Sequence, residues 1–262
     1  MRAAVLAKAG LENLSVVELP DPEPGPGEVL VRVRAATLNY RDLLTVEGGY
    51  GSRQRTENLI PVSDGAGEVV AVGDGVTRFA AGDRVVANFF QKWLSGEPDE
   101  VKLHSGLGGM IDGMACEMRV LPEYGLCHTP SHLTDAEAAA LPYAGLTAWS
   151  AVFDQGGVKP GDLVLTQGSG GVSVFALQFA KLAGAEVIAT SSSDAKLERL
   201  RSLGADHLIN YAETPEWARP AREISGGRGL DLVVEVGGAG TLEQSVKAVR
   251  LGGAVMLIGV LS

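Results

Sequence analysis

The chain has 262 residues, of which 35 are glycine, 12 are proline, six are phenylalanine, five are tyrosine and three are tryptophan. A glycine excess without a proline excess excludes collagen and proline-rich disorder, and 45 % hydrophobic residues are enough to form a core. The formal net charge of −10 includes no basic stripe, which makes nucleic acid an unlikely partner.

Cysteine content and hydropathy set the expected compartment. Cys116 and Cys127 are too few for a disulfide framework. The apolar run at Ala3–Leu6 is too short for a signal peptide, and no run approaches the roughly 18 apolar residues of a membrane span. We therefore expect a cytoplasmic protein with no membrane partner.

The first part of the chain is predicted to be rich in β-strands. Short Val-rich segments bounded by Gly, Pro or Asp predict strands at Ala3–Leu6, Val16–Leu19, Val29–Val33, Gly67–Val72 and Arg84–Asn88. The glycine-rich segment Gln91–Met114 has no regular pattern, and we expect it to be a long surface loop.

After Leu133 the pattern changes to strands alternating with helices. A helix is predicted at Asp135–Leu141 behind Thr134 as its N-cap. Continuous apolar runs predict five strands, at Leu163–Gln167, Glu186–Ser191, His207–Tyr211, Leu230–Val236 and Ala254–Gly259. Helices are predicted between them, from Val172, from Ala195, near Trp217–Ile224 and from Leu242. This alternation predicts a parallel sheet with helices on both faces.

A glycine-rich segment follows the first of these strands and opens a helix. It reads Gly168-Ser169-Gly170-Gly171-Val172-Ser173, a dinucleotide fingerprint with Ser in its third position. The first glycine allows a tight turn, and the second lets backbone N–H groups approach a pyrophosphate. We therefore predict cofactor contacts at Gly168, Ser169, Gly170, Gly171 and Val172. The alternative, a βα turn that is merely rich in glycine, stays open.

The end of the second strand indicates which dinucleotide binds. NAD enzymes place an acidic residue there, on the ribose 2′-hydroxyl. This chain has Ser191 and Ser192, with Lys196 just beyond, and these groups can hydrogen-bond a 2′-phosphate. The sequence therefore predicts NADP(H), a preference that weakens if nearby Asp194 points at the ribose.

Many ordered motifs resemble the medium-chain dehydrogenase/reductase superfamily, on its alcohol dehydrogenase and quinone oxidoreductase side. They include Pro24-Gly25-Pro26-Gly27-Glu28-Val29, Leu38-Asn39-Tyr40-Arg41-Asp42, Gly67-Glu68-Val69-Val70-Ala71-Val72-Gly73, Ala144-Gly145-Leu146-Thr147-Ala148-Trp149, Lys159-Pro160-Gly161-Asp162 and the glycine fingerprint. The resemblance implies an α/β protein with a GroES-like β-barrel domain at residues 1–125. It further implies a doubly wound Rossmann domain at residues 126–262 and an active site in the cleft between the domains.

The same resemblance bears on metal binding. Zinc members of the superfamily have Cys, His and Cys as catalytic ligands, and the matching positions here hold Asn39, Ser63 and Tyr143. None of these is an ordinary zinc ligand, and a structural zinc lobe needs more cysteines than the chain has. We expect no metal.

Zinc-free members of the family reduce conjugated C=C bonds or quinones, a reaction that needs donors for an enolate oxygen and a proton for the α-carbon. Tyr50 resembles the proton-donating tyrosine of zinc-free enoyl thioester reductases. Tyr40 is a candidate donor to a substrate carbonyl, and Asn39 is expected to face the nicotinamide. Either tyrosine could instead be a packing residue, and Asp42 is expected to orient neighbouring backbone.

Family resemblance also implies further cofactor contacts. They are Thr147 near the nicotinamide or its phosphates, Tyr211 near the adenosine ribose, Gly237 at a strand end, and Gly259 and Leu261 beside the carboxamide. The two glycines could instead belong to ordinary strand-end turns.

Two alternatives to an NADPH-dependent enone, enoyl or quinone reductase stay open. One is an alcohol dehydrogenase-like enzyme acting on alcohols or aldehydes, and the other is an NADP-binding protein without turnover. The substrate is expected to be a small molecule, and the family suggests a homodimer or tetramer. Five Rossmann strands are present where the family has six, so we expect a member truncated at its C-terminus.

Overall fold

The computed structural model describes residues 1–55 and 57–261, and its contacts divide the chain into two units. The first unit is Met1–Tyr143, and the second begins at Ala144. This division falls later than the predicted boundary after residue 125. The reason is that the strand Leu126–His128 forms an antiparallel ladder with Arg84–Ala87 and so belongs to the first unit's sheet.

The first unit contains two antiparallel sheets. Strands β1 (Arg2–Leu6) and β2 (Leu14–Glu18) pair with each other. The larger sheet has the order β6-β3-β4-β5-β7. Its strands are β3 (Glu28–Thr37), β4 (Asp64–Val72), β5 (Arg84–Ala87), β6 (Met118–Pro122) and β7 (Leu126–His128). All five predicted strands are present, whereas β6 and β7 were not predicted.

Short helices connect these strands. They are α1 (Tyr40–Glu47), α2 (Glu100–Leu103) and α3 (Asp135–Ala139), with 3₁₀ turns at Leu11–Asn13, Gly51–Arg53 and Glu123–Gly125. The predicted cap of α3 is confirmed: Thr134 and Glu137 exchange hydrogen bonds in a capping box. Ala138 and Ala139 of this helix pack on Ala66 and Val86 of the larger sheet.

The prediction of a surface loop at Gln91–Met114 is wrong for part of the segment. Leu107 and Met114 are almost completely buried, and they pack in the core of the first unit against strand residues such as Val69 and Val85. The segment also includes α2. Its burial depends on contacts with distant strands, which leave no periodic pattern in the segment itself.

The second unit contains a five-stranded parallel sheet, as predicted. Its strands are β8 (Leu163–Gln167), β9 (Glu186–Ser191), β10 (His207–Asn210), β11 (Leu230–Glu235) and β12 (Val249–Leu257). In the order β10-β9-β8-β11-β12, the strand that comes first in the chain, β8, lies in the middle. Strands β9 and β10 are added on one side of β8, and β11 and β12 are added on the other side. In sheets of this topology, ligands bind outside the carboxyl ends of the strands at the switch point, here the ends of β8 and β11.

Helices cover both faces of this sheet. They are α4 (Leu146–Trp149), α5 (Gly171–Leu182), α6 (Asp194–Ser202), α7 (Ala218–Ile224) and α8 (Leu242–Ala248), and π-helical turns flank α4 at Leu141–Gly145 and Ser150–Asp154. Helices α4, α5 and α6 share one core with the sheet, and α7 and α8 share the other. Within residues 1–55 and 57–261, no helix has the length and apolar character needed to cross a membrane.

Candidate active site

A polar cluster in the first unit joins three segments that are distant in sequence. Asn39 precedes α1, Ser63 and Asp64 lie at the start of β4, and Tyr143 is the last residue of the unit. The Asn39 Nδ2 atom donates to Asp64 Oδ2 at 3.1 Å and to Ser63 Oγ at 3.5 Å. Ser63 Oγ donates to Asp64 Oδ1 at 3.0 Å, and the Tyr143 N–H donates to Asp64 Oδ2 at 3.1 Å. The three positions that align with zinc ligands therefore surround Asp64, a residue that sequence analysis did not select.

Burial controls the ionisation of this carboxyl group. Asp64 is fully buried, and burial raises its pKa from 3.8 to about 6. Hydrogen bonds from Asn39, Ser63 and Tyr143 lower the pKa, while the nearby Asp42 raises it. Burial also raises the pKa of Asp42. The carboxylate of Asp42 accepts the backbone N–H of Asn39 at 2.8 Å, which confirms its expected role in orienting backbone.

A buried cation lies among aromatic rings beside the cluster. The Arg41 guanidinium is 4.7 Å from the ring centre of Phe89, 5.6 Å from that of Tyr50 and 5.6 Å from that of Tyr143. Its NH1 atom donates to the carbonyl oxygen of Leu107 at 3.2 Å. This geometry is typical of cation–π contacts, which are strongest where water is excluded. Arg41 thus holds two tyrosine rings next to the polar cluster.

Two tyrosine hydroxyls are polar groups of this region that are available for other partners. Among the residues that the structure describes, none forms a hydrogen bond with the hydroxyl of Tyr50 or of Tyr143. Burial, together with the neighbouring Tyr50, raises the pKa of Tyr143, whereas Arg41 lowers it. Tyr40 is 50 % exposed on α1, and no described residue ties its side chain to the cluster. The structure therefore brings Tyr50, but not Tyr40, next to Arg41 and Tyr143.

The cluster does not suit a zinc ion. Zinc is held by thiolates, imidazoles and carboxylates, whereas three of the four groups here are an amide, a hydroxyl and a phenol ring. The Asn39 amide directs its N–H groups toward Asp64, so Asp64 is already engaged as an acceptor. Among the described residues, no three His, Cys, Asp or Glu side chains are grouped closely enough to hold a metal.

The predicted phosphate turn lies between β8 and α5. Gly168 has a φ of +70°, a conformation that favours glycine, and Gly170 is the N-cap of α5. No side chain caps this helix, and a Cβ atom added to Gly170 would meet no atom within 4 Å. The helix start thus combines backbone N–H groups with open space, which suits the pyrophosphate of a dinucleotide. Ser169 lies in the turn, and Gly171 and Val172 are the first two residues of α5.

The residues expected at the adenosine ribose lie around the end of β9. Ser191 is the last residue of β9 and is buried, while Ser192 and Lys196 are exposed. The Asp194 carboxylate accepts a hydrogen bond from the Asn210 side chain at 2.8 Å, so it has a partner within the protein. Tyr211 is 40 % exposed, and its N–H donates to the Ser191 carbonyl. Hydroxyl and ammonium groups therefore remain accessible where NAD enzymes have an acidic side chain.

Two further predicted segments lie together beyond the strand ends. A Cβ atom on Gly238, the residue after Gly237, would come within 3.0 Å of the Val260 Cα and 3.1 Å of the Gly259 carbonyl oxygen. The segment through Gly259 and Leu261 therefore runs beside the turn after β11.

Thr147 lies on α4, whose residue Trp149 contacts Phe179 of α5 with ring centres 5.4 Å apart. The helix carrying Thr147 is thus a neighbour of the helix that begins at the phosphate turn.

A buried network at the same edge of the sheet was missed by sequence analysis. It is centred on Gln167 and Glu235, the last residues of β8 and β11. A signal for it was present, because Glu235 ends a strand that is otherwise apolar after Asp231, and carboxylates are seldom buried without partners.

Comparisons with known proteins identify the family. Residues 25–131 match the alcohol dehydrogenase GroES-like domain, and residues 171–262 match the family model described as zinc-binding dehydrogenase. A zinc-type alcohol dehydrogenase-like protein of Schizosaccharomyces pombe is 47 % identical over 254 residues, which cover 96 % of this chain and 73 % of that protein. The chain belongs to the medium-chain dehydrogenase/reductase superfamily. The expected pairing of a GroES-like domain with a Rossmann domain is therefore confirmed.

Other members differ in the reactions that their names state. The acryloyl-coenzyme A reductase of Metallosphaera sedula is 32 % identical over 269 residues, covering 98 % of this chain and 76 % of that enzyme. The crystal structure of an NAD-dependent alcohol dehydrogenase matches with a TM-score of 0.88 and 43 % identity, covering 97 % of this chain and 76 % of the other. The chain is accordingly an NAD(P)-dependent oxidoreductase, and the superfamily binds nicotinamide cofactors.

Proposed function

We propose that this oxidoreductase reduces an activated C=C bond or a quinone with NADPH and without a metal ion. The observation that carries the proposal is the cluster of Asn39, Ser63 and Tyr143 around Asp64. At the positions where zinc members have ligands, this chain has the Asn39 amide and the Ser63 hydroxyl, which hydrogen-bond each other and Asp64, and Tyr143, whose backbone N–H donates to Asp64. Without a Lewis acid, oxidation of an alcohol lacks the group that would stabilise an alkoxide. An enone or quinone needs only hydrogen-bond donors and a proton source.

The residues of the first unit can supply those donors. When bound, the nicotinamide supplies a hydride to the electron-poor carbon of the substrate. The charge that develops on the substrate oxygen requires a donor, and the hydroxyl of Tyr50 or Tyr143 can fill that role. Tyr50 is also our candidate for protonating the α-carbon, and its ring centre lies 5.6 Å from the Arg41 guanidinium. Asn39 engages its amide N–H groups with Asp64, so we assign it to positioning.

The preference for NADPH is supported by the end of β9. Ser191, Ser192 and Lys196 can donate hydrogen bonds to a 2′-phosphate, whereas a carboxylate would repel it. The Asp194 carboxylate, which follows this strand, accepts a hydrogen bond from the Asn210 side chain. The alcohol dehydrogenase that matches this chain is named as NAD-dependent, so comparison of the two cofactors is part of the test.

The names of two similar proteins favour a second candidate, an enzyme that acts on alcohols or aldehydes. The decisive experiment is an NADPH oxidation assay with enones, quinones, enoyl thioesters and aldehydes, with NADH in parallel. We expect turnover of enones, enoyl thioesters or quinones, with a higher kcat/KM for NADPH. Turnover of aldehydes alone would support the second candidate, and cofactor binding without any turnover would indicate a non-catalytic protein. Stoichiometric zinc in the purified protein would contradict metal independence.

Replacement of the candidate proton donor tests the mechanism. Tyr50→Phe removes the hydroxyl but retains the ring beside Arg41. Because general acids contribute about 100-fold or more, we expect kcat to fall by that factor while the Kd for NADPH is unchanged. Tyr124→Phe is a matched control, since Tyr124 is 42 % exposed and lies outside the cluster. Equal kcat values for Tyr50→Phe and the unmodified protein would remove Tyr50 as the donor.

A further inference from the structure

A buried carboxylate holds the turn at the carboxyl end of β11. Glu235 has no exposed surface, and its Oε1 atom accepts three hydrogen bonds. The donors are the Gly237 N–H at 2.8 Å, the Gly238 N–H at 2.9 Å and the Thr241 hydroxyl at 2.5 Å. Both backbone donors belong to the turn expected to contact the cofactor. The Glu235 carboxylate therefore contributes directly to the conformation of this turn.

The other oxygen of the same carboxylate reaches a second strand. Glu235 Oε2 accepts the Gln167 Nε2–H at 2.7 Å and the hydroxyl of Ser245 on α8. Gln167 precedes the phosphate turn, and its own Oε1 atom accepts the Val236 N–H at 3.2 Å. Its carbonyl oxygen accepts the hydroxyl of Ser173 in the first turn of α5 at 2.6 Å. Gln167 therefore connects the phosphate turn and the turn after β11.

A third segment is fixed by the backbone of the same residue. The carbonyl oxygen of Glu235 accepts the N–H groups of Ile258 at 2.8 Å and Gly259 at 3.2 Å. A Cβ atom on Gly259 would lie 1.8 Å from the Val236 carbonyl oxygen, so the two segments approach as closely as glycine allows. Three of the segments that we expect along the cofactor, namely the phosphate turn, the turn after β11 and the segment at Gly259, are thus connected through Glu235 and Gln167.

Hydrogen bonds favour the ionised form of this buried carboxyl group. Burial raises its pKa, but the hydrogen bonds from Ser245, Thr241, Gly238 and Gln167 outweigh that effect and hold the pKa below its ordinary value. No Lys, Arg or His side chain of the described residues forms an ion pair with it. A buried anion that is neutralised only by hydrogen-bond donors fixes those donors firmly, because releasing any of them leaves charge unsatisfied.

We propose that Glu235, acting through Gln167, is a positioning residue that presets the cofactor-binding edge of the second unit for the dinucleotide. The proposal rests on nicotinamide binding at this edge. It assigns to Glu235 a role in affinity for the cofactor that goes beyond stabilising the fold, since its partners lie at the carboxyl ends of β8 and β11, where ligands of such sheets bind.

The same strand provides a matched control. Asp231 lies near the opposite end of β11, where its carboxylate accepts hydrogen bonds from Arg228, Arg250 and the Leu163 N–H. It too is buried, and the Arg228 guanidinium holds its pKa far below the ordinary value. Glu235→Gln and Asp231→Asn therefore each neutralise a buried carboxylate of one strand, at the cofactor edge and at the far edge respectively.

The experiment measures the Kd for NADPH and for NADH by fluorescence titration of the full chain, together with Tm. We expect both variants to lower Tm, but only Glu235→Gln to weaken both cofactors, by about tenfold or more, which corresponds to about 1.4 kcal/mol. Equal Kd values for Glu235→Gln and the unmodified protein would overturn the proposal, as would equal losses of affinity in the two variants. Failure of the unmodified protein to bind either cofactor would instead refute nicotinamide binding itself.

If Glu235→Gln does not fold, a second pair of variants tests the positioning role of Glu235. Thr241→Val removes one donor to Oε1 while preserving shape, and Thr241→Ser restores the hydroxyl. We expect Thr241→Val to weaken NADPH binding and Thr241→Ser to bind as the unmodified protein does. Normal affinity in Thr241→Val would contradict the positioning role.

Discussion

The buried carboxyl group of Asp64 makes the stability of the first unit depend on pH. Its pKa in the folded chain is about 6, against 3.8 for the ordinary side chain, mainly because burial penalises the charged form. The folded state therefore binds this proton more tightly than the unfolded state does. The stabilisation is fully present below about pH 4 and is lost as pH rises through 6.

The size of the effect follows from the two pKa values. Each unit of difference corresponds to about 1.4 kcal/mol, so a shift from 3.8 to about 6 amounts to about 3 kcal/mol. Asp64→Asn cannot titrate and lacks this contribution. We therefore expect the free energy of unfolding of the unmodified protein, minus that of Asp64→Asn, to fall by about 2.4 kcal/mol of this total between about pH 4 and 7. The prediction concerns how this difference in free energy changes with pH and not its absolute value, since the amide of Asp64→Asn also alters the hydrogen bonds to Asn39 and Tyr143 at every pH.

The assay must report the first unit alone, because a chain with two units need not unfold in one step. Of the three tryptophans, Trp93 lies in the first unit and Trp149 and Trp217 lie in the second. In a Trp149→Phe, Trp217→Phe background, denaturant titrations followed by Trp93 fluorescence give the required free energies. A difference that is constant from pH 4 to 7, or that increases with pH, would refute the assignment of a raised pKa to Asp64.

Three further substitutions test the folded framework. Thr134→Ala removes the cap of α3 and should lower the free energy of unfolding by about 1 kcal/mol, and an unchanged value would contradict the capping box with Glu137. Leu107→Ala should lower it by about 2–5 kcal/mol in the Trp93 assay, and a loss below that range would contradict core packing. Gly170→Ser should preserve Tm, because its Cβ meets no protein atom, yet weaken NADPH binding; unchanged affinity would place the pyrophosphate elsewhere.

The fold of the second unit could be predicted almost completely from local signals. The strands β8 and β11 are buried runs, and α5 repeats its apolar residues at a helical period, so each element is encoded in its own segment. The first unit was harder. Strand β7 has only three residues, and Leu107 is buried through contacts with strands that are distant in sequence. Neither feature leaves a periodic signal.

Prediction of the site succeeded where motifs could be aligned and failed where only three-dimensional contacts matter. Asn39, Ser63 and Tyr143 were assigned to one location by resemblance, and the structure groups them. The residues that organise this group, Asp64 and Arg41, were not recognised, because a carboxylate after Ser63 or an arginine after Tyr40 has no distinctive local pattern. Glu235 escaped for the same reason, as its partners come from β8 and α8.

The geometry around Asp64 indicates which hydrogen-bond donors of the first unit remain for a substrate. A metal ion would draw negative ligands together and polarise a substrate oxygen, whereas here the amide of Asn39 already donates to Asp64 and Ser63. Asn39 therefore has no strong donor left for a substrate. The remaining donors beside Arg41 are the hydroxyls of Tyr50 and Tyr143, which have no partner among residues 1–55 and 57–261. Because a phenol can both donate a hydrogen bond and release a proton, these two hydroxyls are consistent with our proposal that the enzyme reduces a polarised double bond.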